Sequence, residues 1–122
     1  MVIGVKKEIF LLEDDICLRE FLIDLFEDNG YHVTSSSNGQ DALNKLSDGY
    51  KPDLILLDCQ MPLMDGIAFR KIQMNHILWS TIPTLMLSGD PLIDFSKFGL
   101  KYFIPKPFNV LALIEQMSSL LK

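Results

Sequence analysis

The sequence has no apolar stretch close to the roughly 20 residues of a membrane-spanning helix. It also has no basic run. Its 11 lysines and arginines are outnumbered by 16 aspartates and glutamates, which gives a net charge of −5. This balance argues against direct nucleic-acid binding, which needs a positive surface for the phosphates. Residues 1–7 lack the long apolar core of a signal peptide. These absences predict a cytoplasmic protein that binds neither a membrane nor nucleic acid directly.

Cysteine is scarce as well. Cys17 and Cys59 are the only two, which is too few for a disulfide framework, and no spacing of cysteine and histidine resembles a zinc site. Repeats, low-complexity segments and linkers are also missing from the sequence. Because the chain has 122 residues and is 48% hydrophobic, it can bury a real core, and we expect residues 1–122 to form one domain.

The most informative stretch covers residues 52–66, Pro-Asp-Leu-Ile-Leu-Leu-Asp-Cys-Gln-Met-Pro-Leu-Met-Asp-Gly. Its apolar run, 54–57, is too short for a buried helix and predicts a strand covered on both faces, as in the middle of a parallel sheet. Asp58 follows at the carboxyl end of that strand, where open α/β sheets place their ligand clefts. Asp65-Gly66 then predicts a turn into the next helix.

Similar apolar runs recur along the chain and predict strands at 7–12, 31–34, 54–57, 84–87 and 101–104. A helical pattern follows each one. The first helix is predicted to point six residues inward: Cys17, Leu18, Phe21, Leu22, Leu25 and Phe26. The helix after the fourth strand is predicted to start at Asp90-Pro91 and to stop at Gly99. The last helix is predicted to be capped by Asn109. Its inward-facing residues are predicted to be Val110, Leu113, Ile114, Met117, Leu120 and Leu121.

Five strands that alternate with five helices predict an α/β fold, a doubly wound parallel sheet with helices on both faces. In such a sheet all carboxyl ends lie on one edge. Polar residues stand at four of these ends, namely Glu13-Asp14-Asp15, Asp58, Ser88 and Lys106. Clustered carboxylates repel, by about 4 kcal/mol for two charges about 4 Å apart at an effective dielectric near 20. A hard cation such as Mg²⁺ relieves this repulsion, and the hydroxyl and ammonium groups beside it suit a phosphoryl site with Asp58 as nucleophile.

Each of these residues also has a simpler explanation. Asp15 suits a helix N-cap, Asp58 and Ser88 alone suit turns, and Lys106 alone suits a solvated surface lysine. The loop 75–81 contains Ile77, Leu78 and Trp79 and is more apolar than a connection requires. It either covers the core or forms a patch for a partner. The coincidence of four polar strand ends favours a site over four separate explanations.

The chain resembles the receiver domains of two-component response regulators over nearly its whole length. Leu-Leu-Glu-Asp-Asp followed by Arg19 resembles the first-strand acidic motif, and Leu-Leu-Asp-Cys-Gln-Met-Pro-Leu-Met-Asp-Gly resembles the phosphoacceptor segment. Met-Leu-Ser88-Gly and Lys106-Pro107-Phe108 resemble the switch hydroxyl and lysine-proline motifs. The resemblance implies a flavodoxin-like sheet of strand order 2-1-3-4-5.

Specific roles follow from the resemblance. Asp58 would be the phosphoacceptor, with Lys106 and Ser88 beside it. Mg²⁺ would bind Glu13, Asp14, Asp58 and the backbone carbonyl of Gln60, with Asp14 as a direct ligand. Phe103 would be the switch aromatic that acts with Ser88, and the Lys106-Pro107 peptide bond would be cis.

The chain also departs from the pattern of the family. The stretch between Ser88 and Lys106 is about one helical turn shorter than usual, and the loss falls in the predicted helix 90–99. Gly89 replaces a more usual alanine, and Tyr102 stands where an acid is common. The shortening predicts that output is communicated away from this part of the domain.

The expected function is therefore Mg²⁺-dependent acceptance of a phosphoryl group on Asp58 from a histidine kinase or phosphotransfer protein, without enzymatic turnover, and with an output partner that the sequence does not name. Two alternatives stay open. A pseudo-receiver would act only as an interaction module, although the complete set of site residues argues against it. A phosphatase of the haloacid-dehalogenase type would need a second aspartate where Gln60 stands. The chain is either a stand-alone regulator or a receiver from a longer protein.

Overall fold

A computed structural model describes residues 5–90, 92–100 and 103–122. Its five strands are β1 (Glu8–Leu12), β2 (His32–Ser36), β3 (Leu54–Asp58), β4 (Thr84–Ser88) and β5 (Phe103–Pro105). They form one parallel sheet of order β2-β1-β3-β4-β5. The predicted fold class and strand order are confirmed. Of the predicted fifth strand, Lys101 and Tyr102 lie outside the described residues.

The sheet is organised around β3, all five of whose residues are buried. Its leucine and isoleucine side chains alternate between two apolar clusters, one on each face of the sheet. In register, Leu57 pairs with Leu12 on one side and with Met86 on the other. A strand with partners on both edges and apolar cover on both faces has a fixed position, so Asp58 at its end is held firmly.

Four α-helices cover the sheet: α1 (Ile16–Asp28), α2 (Gly39–Ser47), α3 (Gly66–Met74) and α4 (Val110–Leu120). Helices α1 and α4 pack on one face, while α2 and α3 pack on the other. Each begins at a side-chain cap that accepts a hydrogen bond from the backbone N–H three residues on, from Asp15, Asn38, Asp65 and Asn109 respectively. The explanation of Asp15 as an N-cap is therefore confirmed.

Three predictions of inward-facing residues were wrong. Cys17 and Phe21 of α1 and Val110 of α4 are exposed, whereas Leu22 and Phe26 of α1 are fully buried. A helical stripe of apolar residues is wider than the strip that contacts a flat sheet, so its margins stay in solvent.

The prediction of an α-helix between residues 90 and 99 was also wrong. The described residues there form only a short 3₁₀ helix, Phe95–Phe98, capped by Asp94, and Pro91 lies outside the described residues. Asp90 accepts from the N–H of Leu92, two residues on, so it closes a turn instead of starting a helix. Because Asp94 begins the 3₁₀ helix and Gly99 ends it at φ +68°, only one turn fits. The predicted stop at Gly99 is confirmed.

No helix among the described residues is both long enough and apolar enough to cross a membrane.

Candidate functional site

Four strands deliver polar residues to one edge of the sheet. Glu13 follows β1, Asp58 ends β3, Ser88 ends β4 and Lys106 follows β5. The register places Asp58 opposite Leu87 and Ser88 opposite Pro105, so these ends are level with one another. Parallel pairing therefore brings together the residues that the sequence placed at separate strand ends.

Lys106 lies between two carboxylates. Its Nζ atom is 3.1 Å from Oδ1 of Asp58 and 3.6 Å from Oε1 of Glu13. Burial alone would lower the pKa of the Lys106 ammonium, but the bond to Asp58 and the charges of Asp58 and Glu13 outweigh it and raise that pKa. The ammonium is thus charged and aimed at the Asp58 carboxylate.

Glu13 is the most deeply buried member of the cluster, with 1% of its surface exposed. Its Oε2 accepts from the backbone N–H of Asp15 at 3.2 Å. Its Oε1 has no hydrogen-bond partner among the described residues, because the ammonium of Lys106 at 3.6 Å is too far for one. Burial, followed by contact with Asp58, raises the pKa of the Glu13 carboxyl to about 7.

The acidic cluster has the composition of a divalent-cation site. Carboxylate oxygens of Glu13, Asp14 and Asp58 all lie within 4.8 Å of one another, and Asp14 is exposed to solvent. A buried carboxylate oxygen without a partner, beside two other carboxylates, is costly unless a cation or a proton binds there. An all-oxygen donor set that is open to water on one side fits Mg²⁺.

The loop after β1 is fixed by a residue whose role the sequence did not predict. The Nη1 atom of Arg19 in α1 donates to the backbone carbonyl of Glu13 at 3.1 Å. Asp15, in the same loop, caps α1. Only the short separation of Arg19 from the acidic motif hinted at this bond, which holds Glu13 and Asp14 in place.

The loop after β3 contacts Asp58 through backbone atoms. The N–H of Gln60 donates to Oδ1 of Asp58 at 3.3 Å, and the N–H of Gly66 donates to the carbonyl of Cys59 at 3.1 Å. A Cβ atom on Gly66 would lie 2.1 Å from the carbonyl oxygen of Asp58. Only glycine fits there, because the start of α3 presses directly on the residue that carries the site carboxylate.

Ser88 ends β4 beside the acidic cluster, and Phe103 lies in β5, three residues before Lys106. Ser88 is buried; its Oγ accepts from the N–H of Asp90 at 3.1 Å and its carbonyl from the N–H of Lys106 at 2.8 Å. Phe103 is 45% exposed, and its ring centroid lies 5.0 Å from that of Phe95. The Lys106-Pro107 peptide bond is cis, as the resemblance implied.

The loop 75–81 lies at the opposite end of the sheet from the acidic cluster, between the end of α3 and the amino end of β4. Trp79 is half-buried against the core and stacks on His76 with ring centroids 3.6 Å apart. Ile77 and Leu78 are exposed, and a cavity of about 680 Å³ beside the loop has Tyr50 and Trp79 in its lining. Covering the core thus accounts for Trp79, while the prediction of a partner patch remains for Ile77 and Leu78.

Comparison with known proteins gives a consistent result. A family model described as the response regulator receiver domain matches residues 9–118. The chain is 35% identical over 120 residues to the transcriptional regulatory protein CpxR homolog of Haemophilus influenzae, a match that covers 94% of this chain and 50% of the relative. It is 30% identical over 120 residues to the polar-differentiation response regulator DivK of Brucella anthropi, covering 94% of this chain and 96% of that one. The chain therefore spans half the length of the first relative and nearly all of the second.

A solved structure agrees with these relatives. The signal receiver domain of a signal transduction histidine kinase from Syntrophus aciditrophicus is 33% identical. It superimposes with a TM-score of 0.88, and the match covers 94% of this chain and 89% of that one.

Proposed function

The chain belongs to the response regulator receiver domain family of two-component signalling, and we propose that it accepts a phosphoryl group on Asp58 from a histidine kinase or phosphotransfer protein. One observation carries this proposal. The Asp58 carboxylate stands at the end of the central strand, 3.1 Å from the Lys106 ammonium and within the same cluster as Glu13 and Asp14.

Asp58 is the proposed nucleophile. One of its carboxylate oxygens forms a new bond to phosphorus, while the bond from phosphorus to the donor breaks and its electron pair leaves with the donor group. The product on the protein is an acyl phosphate. A carboxylate needs no general base for this attack, because it has no proton to lose.

Charge compensation is the main requirement, since donor and acceptor are both anionic. Lys106 supplies one positive charge beside Asp58, on the side that also faces Glu13. Glu13, Asp14 and Asp58, with the backbone carbonyl of Gln60, are the proposed Mg²⁺ ligands. When bound, Mg²⁺ supplies further positive charge against the phosphoryl oxygens. The buried Oε1 of Glu13, which lacks a hydrogen-bond partner among the described residues, supports this assignment.

The switch is assigned to Ser88 and Phe103. In this structure the Ser88 hydroxyl accepts from the N–H of Asp90, and it has its own proton to donate to a phosphoryl oxygen. We propose that this new contact draws Ser88 toward Asp58 and shifts the half-exposed Phe103 inward. The change is a shift between two populations, biased by the contacts that the phosphoryl group makes.

Partners and location are proposed on the same basis. The donor is a histidine kinase or phosphotransfer protein that carries phosphohistidine, the output partner is unknown, and exchange takes place in the cytoplasm. We propose that residues 1–122 act as one receiver domain without direct contact to nucleic acid or membrane. The remaining question is turnover, because a phosphatase of the haloacid-dehalogenase type also uses an aspartyl nucleophile.

A paired assay tests the proposal. The protein is incubated with a ³²P-labelled phosphohistidine phosphotransfer protein and Mg²⁺, and in parallel with a phosphate monoester. We expect label on this chain and no turnover of the monoester. Catalytic release of phosphate from the monoester would favour the phosphatase, and absence of label from every phosphohistidine donor and small donor tried would favour the pseudo-receiver.

A further inference from the structure

A buried arginine lies away from the acidic cluster, on the inner side of α3. Arg70 is only 7% exposed, yet no carboxylate among the described residues lies within ion-pair distance of its guanidinium. Buried arginines are rare without an acidic partner. The position therefore needs another source of compensation.

That compensation comes from backbone carbonyls at the end of the 3₁₀ helix Phe95–Phe98. The Nε atom of Arg70 donates to the carbonyl of Phe98 at 2.8 Å, and Nη2 donates to that of Gly99 at 3.4 Å. Carbonyls at a helix C-terminus have no partner within the helix and carry partial negative charge. Arg70 thus ties residues 92–100, which we call the 92–100 segment, to α3.

Two further polar residues hold the guanidinium in position. Its Nη1 atom donates to Oε1 of Gln73 at 2.9 Å and to Oγ1 of Thr84 at 3.3 Å. The amide of Gln73, which is fully buried, donates in turn to Oγ1 of Thr84 at 2.9 Å and to the carbonyl of Trp79 at 3.0 Å. Thr84 begins β4, the strand that ends at Ser88. The network therefore connects the 92–100 segment with the strand that holds the switch hydroxyl.

The 92–100 segment also contacts Phe103, the proposed switch aromatic. Phe95 is buried in the 92–100 segment, and its ring lies 5.0 Å from that of Phe103. Because Phe103 packs against Phe95, a movement of Phe95 with the segment would change the surface that Phe103 contacts. The tie at Phe98 and Gly99 restrains such movement in the state that the structure describes.

We propose that Arg70 is a positioning residue that holds the 92–100 segment against α3 and thereby keeps Phe103 in its half-exposed position. Its effect on signalling rests on the proposed function, in which phosphorylation shifts Phe103 inward. Its effect on the 92–100 segment does not, because the tie exists without phosphorylation.

The test compares Arg70→Met and Arg70→Lys with Lys97→Met, all as the full unphosphorylated chain. Methionine keeps the aliphatic stem without donors, and lysine keeps the charge without the fork of donors. Lys97 is an exposed lysine of the same segment and serves as the control for loss of one positive charge. Amide exchange is measured at Gly99 and Leu100, whose N–H groups donate within the segment. The fluorine resonance of Phe103 is followed in 4-fluorophenylalanine-labelled protein and assigned by Phe103→Leu.

We expect Arg70→Met to speed exchange at Gly99 and Leu100 about tenfold or more, as for loss of charge-assisted hydrogen bonds, and to move the Phe103 resonance. Amides of β3 should stay protected, and Lys97→Met should match the wild type. Arg70→Lys should fall between wild type and Arg70→Met, and it carries the test if the methionine variant does not fold. Wild-type exchange and an unmoved Phe103 resonance in the folded variant would overturn the proposal. Failure of the wild type to take up a phosphoryl group would contradict the proposed function alone, because these readings need no phosphorylation.

Discussion

The ammonium of Lys106 lies 3.1 Å from a carboxylate oxygen of Asp58, although the two residues are 48 positions apart in the chain. The pairing arises because β5 and β3 end on the same edge of a parallel sheet. It places a positive charge against the one site carboxylate that a buried central strand holds rigidly.

Replacing Lys106 should expose the repulsion that it relieves. We expect Lys106→Ala to lower the free energy of unfolding at pH 7 by about 1–2 kcal/mol, a modest value because the ammonium is partly exposed. Mg²⁺ binding should persist, whereas coupling between phosphorylation and the Ser88–Phe103 switch should weaken. The three effects are measured by urea unfolding, by Mg²⁺ titration and by the fluorine resonance of Phe103. The control is Lys51→Ala, because Lys51 is exposed. Loss of Mg²⁺ binding in Lys106→Ala would contradict the assigned ligands.

Glu13 should make stability depend on pH when no metal is present. Its pKa is raised from 4.5 to about 7 in the folded chain, so between these values the folded state retains a proton that the unfolded state has lost. Stability from this group is therefore present below pH 4.5 and is lost as pH rises through about 7.

Glu13→Gln removes that loss because glutamine does not ionise. The free energy of unfolding is measured for Glu13→Gln and for the wild type in the presence of chelator. The value for Glu13→Gln minus the value for the wild type should increase by about 2–3 kcal/mol from pH 4.5 to pH 8. The same difference for Glu20→Gln, an exposed position of α1, should stay flat. A flat difference for Glu13→Gln as well would show that this carboxyl titrates normally.

Gly66 should be intolerant of any side chain. A Cβ there would lie 2.1 Å from the carbonyl oxygen of Asp58, whereas a Cβ at Gly89 would lie 3.8 Å from the Cβ of Lys106, an ordinary contact. We expect Gly66→Ala to cost about 3 kcal/mol or more, because β3 and α3 must separate, and Gly89→Ala to cost less than about 1 kcal/mol. Equal midpoints of chemical unfolding for the two variants would be incompatible with this close approach.

Output is expected to be communicated away from the 92–100 segment, which is short and tied to Arg70. Amide exchange of the free protein and of protein kept phosphorylated by excess donor should differ around Ser88 and Phe103 and at further positions outside residues 90–98. Differences confined to residues 90–98 would count against this expectation.

The strand ends and the fold class were predictable because short apolar runs followed by polar residues are local signals, whereas the strand order followed from the resemblance to the family. A run of four buried residues before Asp58 indicates a central strand without knowledge of its neighbours. The same local logic failed at Asp90, whose sequence suits a helix cap but whose side chain closes a turn to Leu92. Whether a cap starts a helix depends on the residues that follow, and here Asp94 and Gly99 leave space for one turn.

The buried network around Arg70 could not be predicted from the sequence. A charged residue in an amphipathic helix is expected on the solvent side, and nothing local identifies the carbonyls of Phe98 and Gly99 as its acceptors. The bond from Arg19 to the carbonyl of Glu13 escaped prediction for the same reason. Both contacts depend on how separate elements meet in three dimensions.

The central claim is that Asp58 itself receives the phosphoryl group, and intact mass measurement with peptide mapping tests it most directly. Protein is incubated with acetyl phosphate and Mg²⁺, with and without chelator, as wild type, Asp58→Asn and Asp53→Asn. Asp53 precedes the same strand at its opposite end, where its carboxylate accepts from the N–H of Glu8, so it is a matched control. We predict one hydroxylamine-labile phosphoryl group in the wild type and Asp53→Asn, and none in Asp58→Asn or in chelator. Uptake at the wild-type level in Asp58→Asn, or uptake indifferent to chelation, would contradict the account.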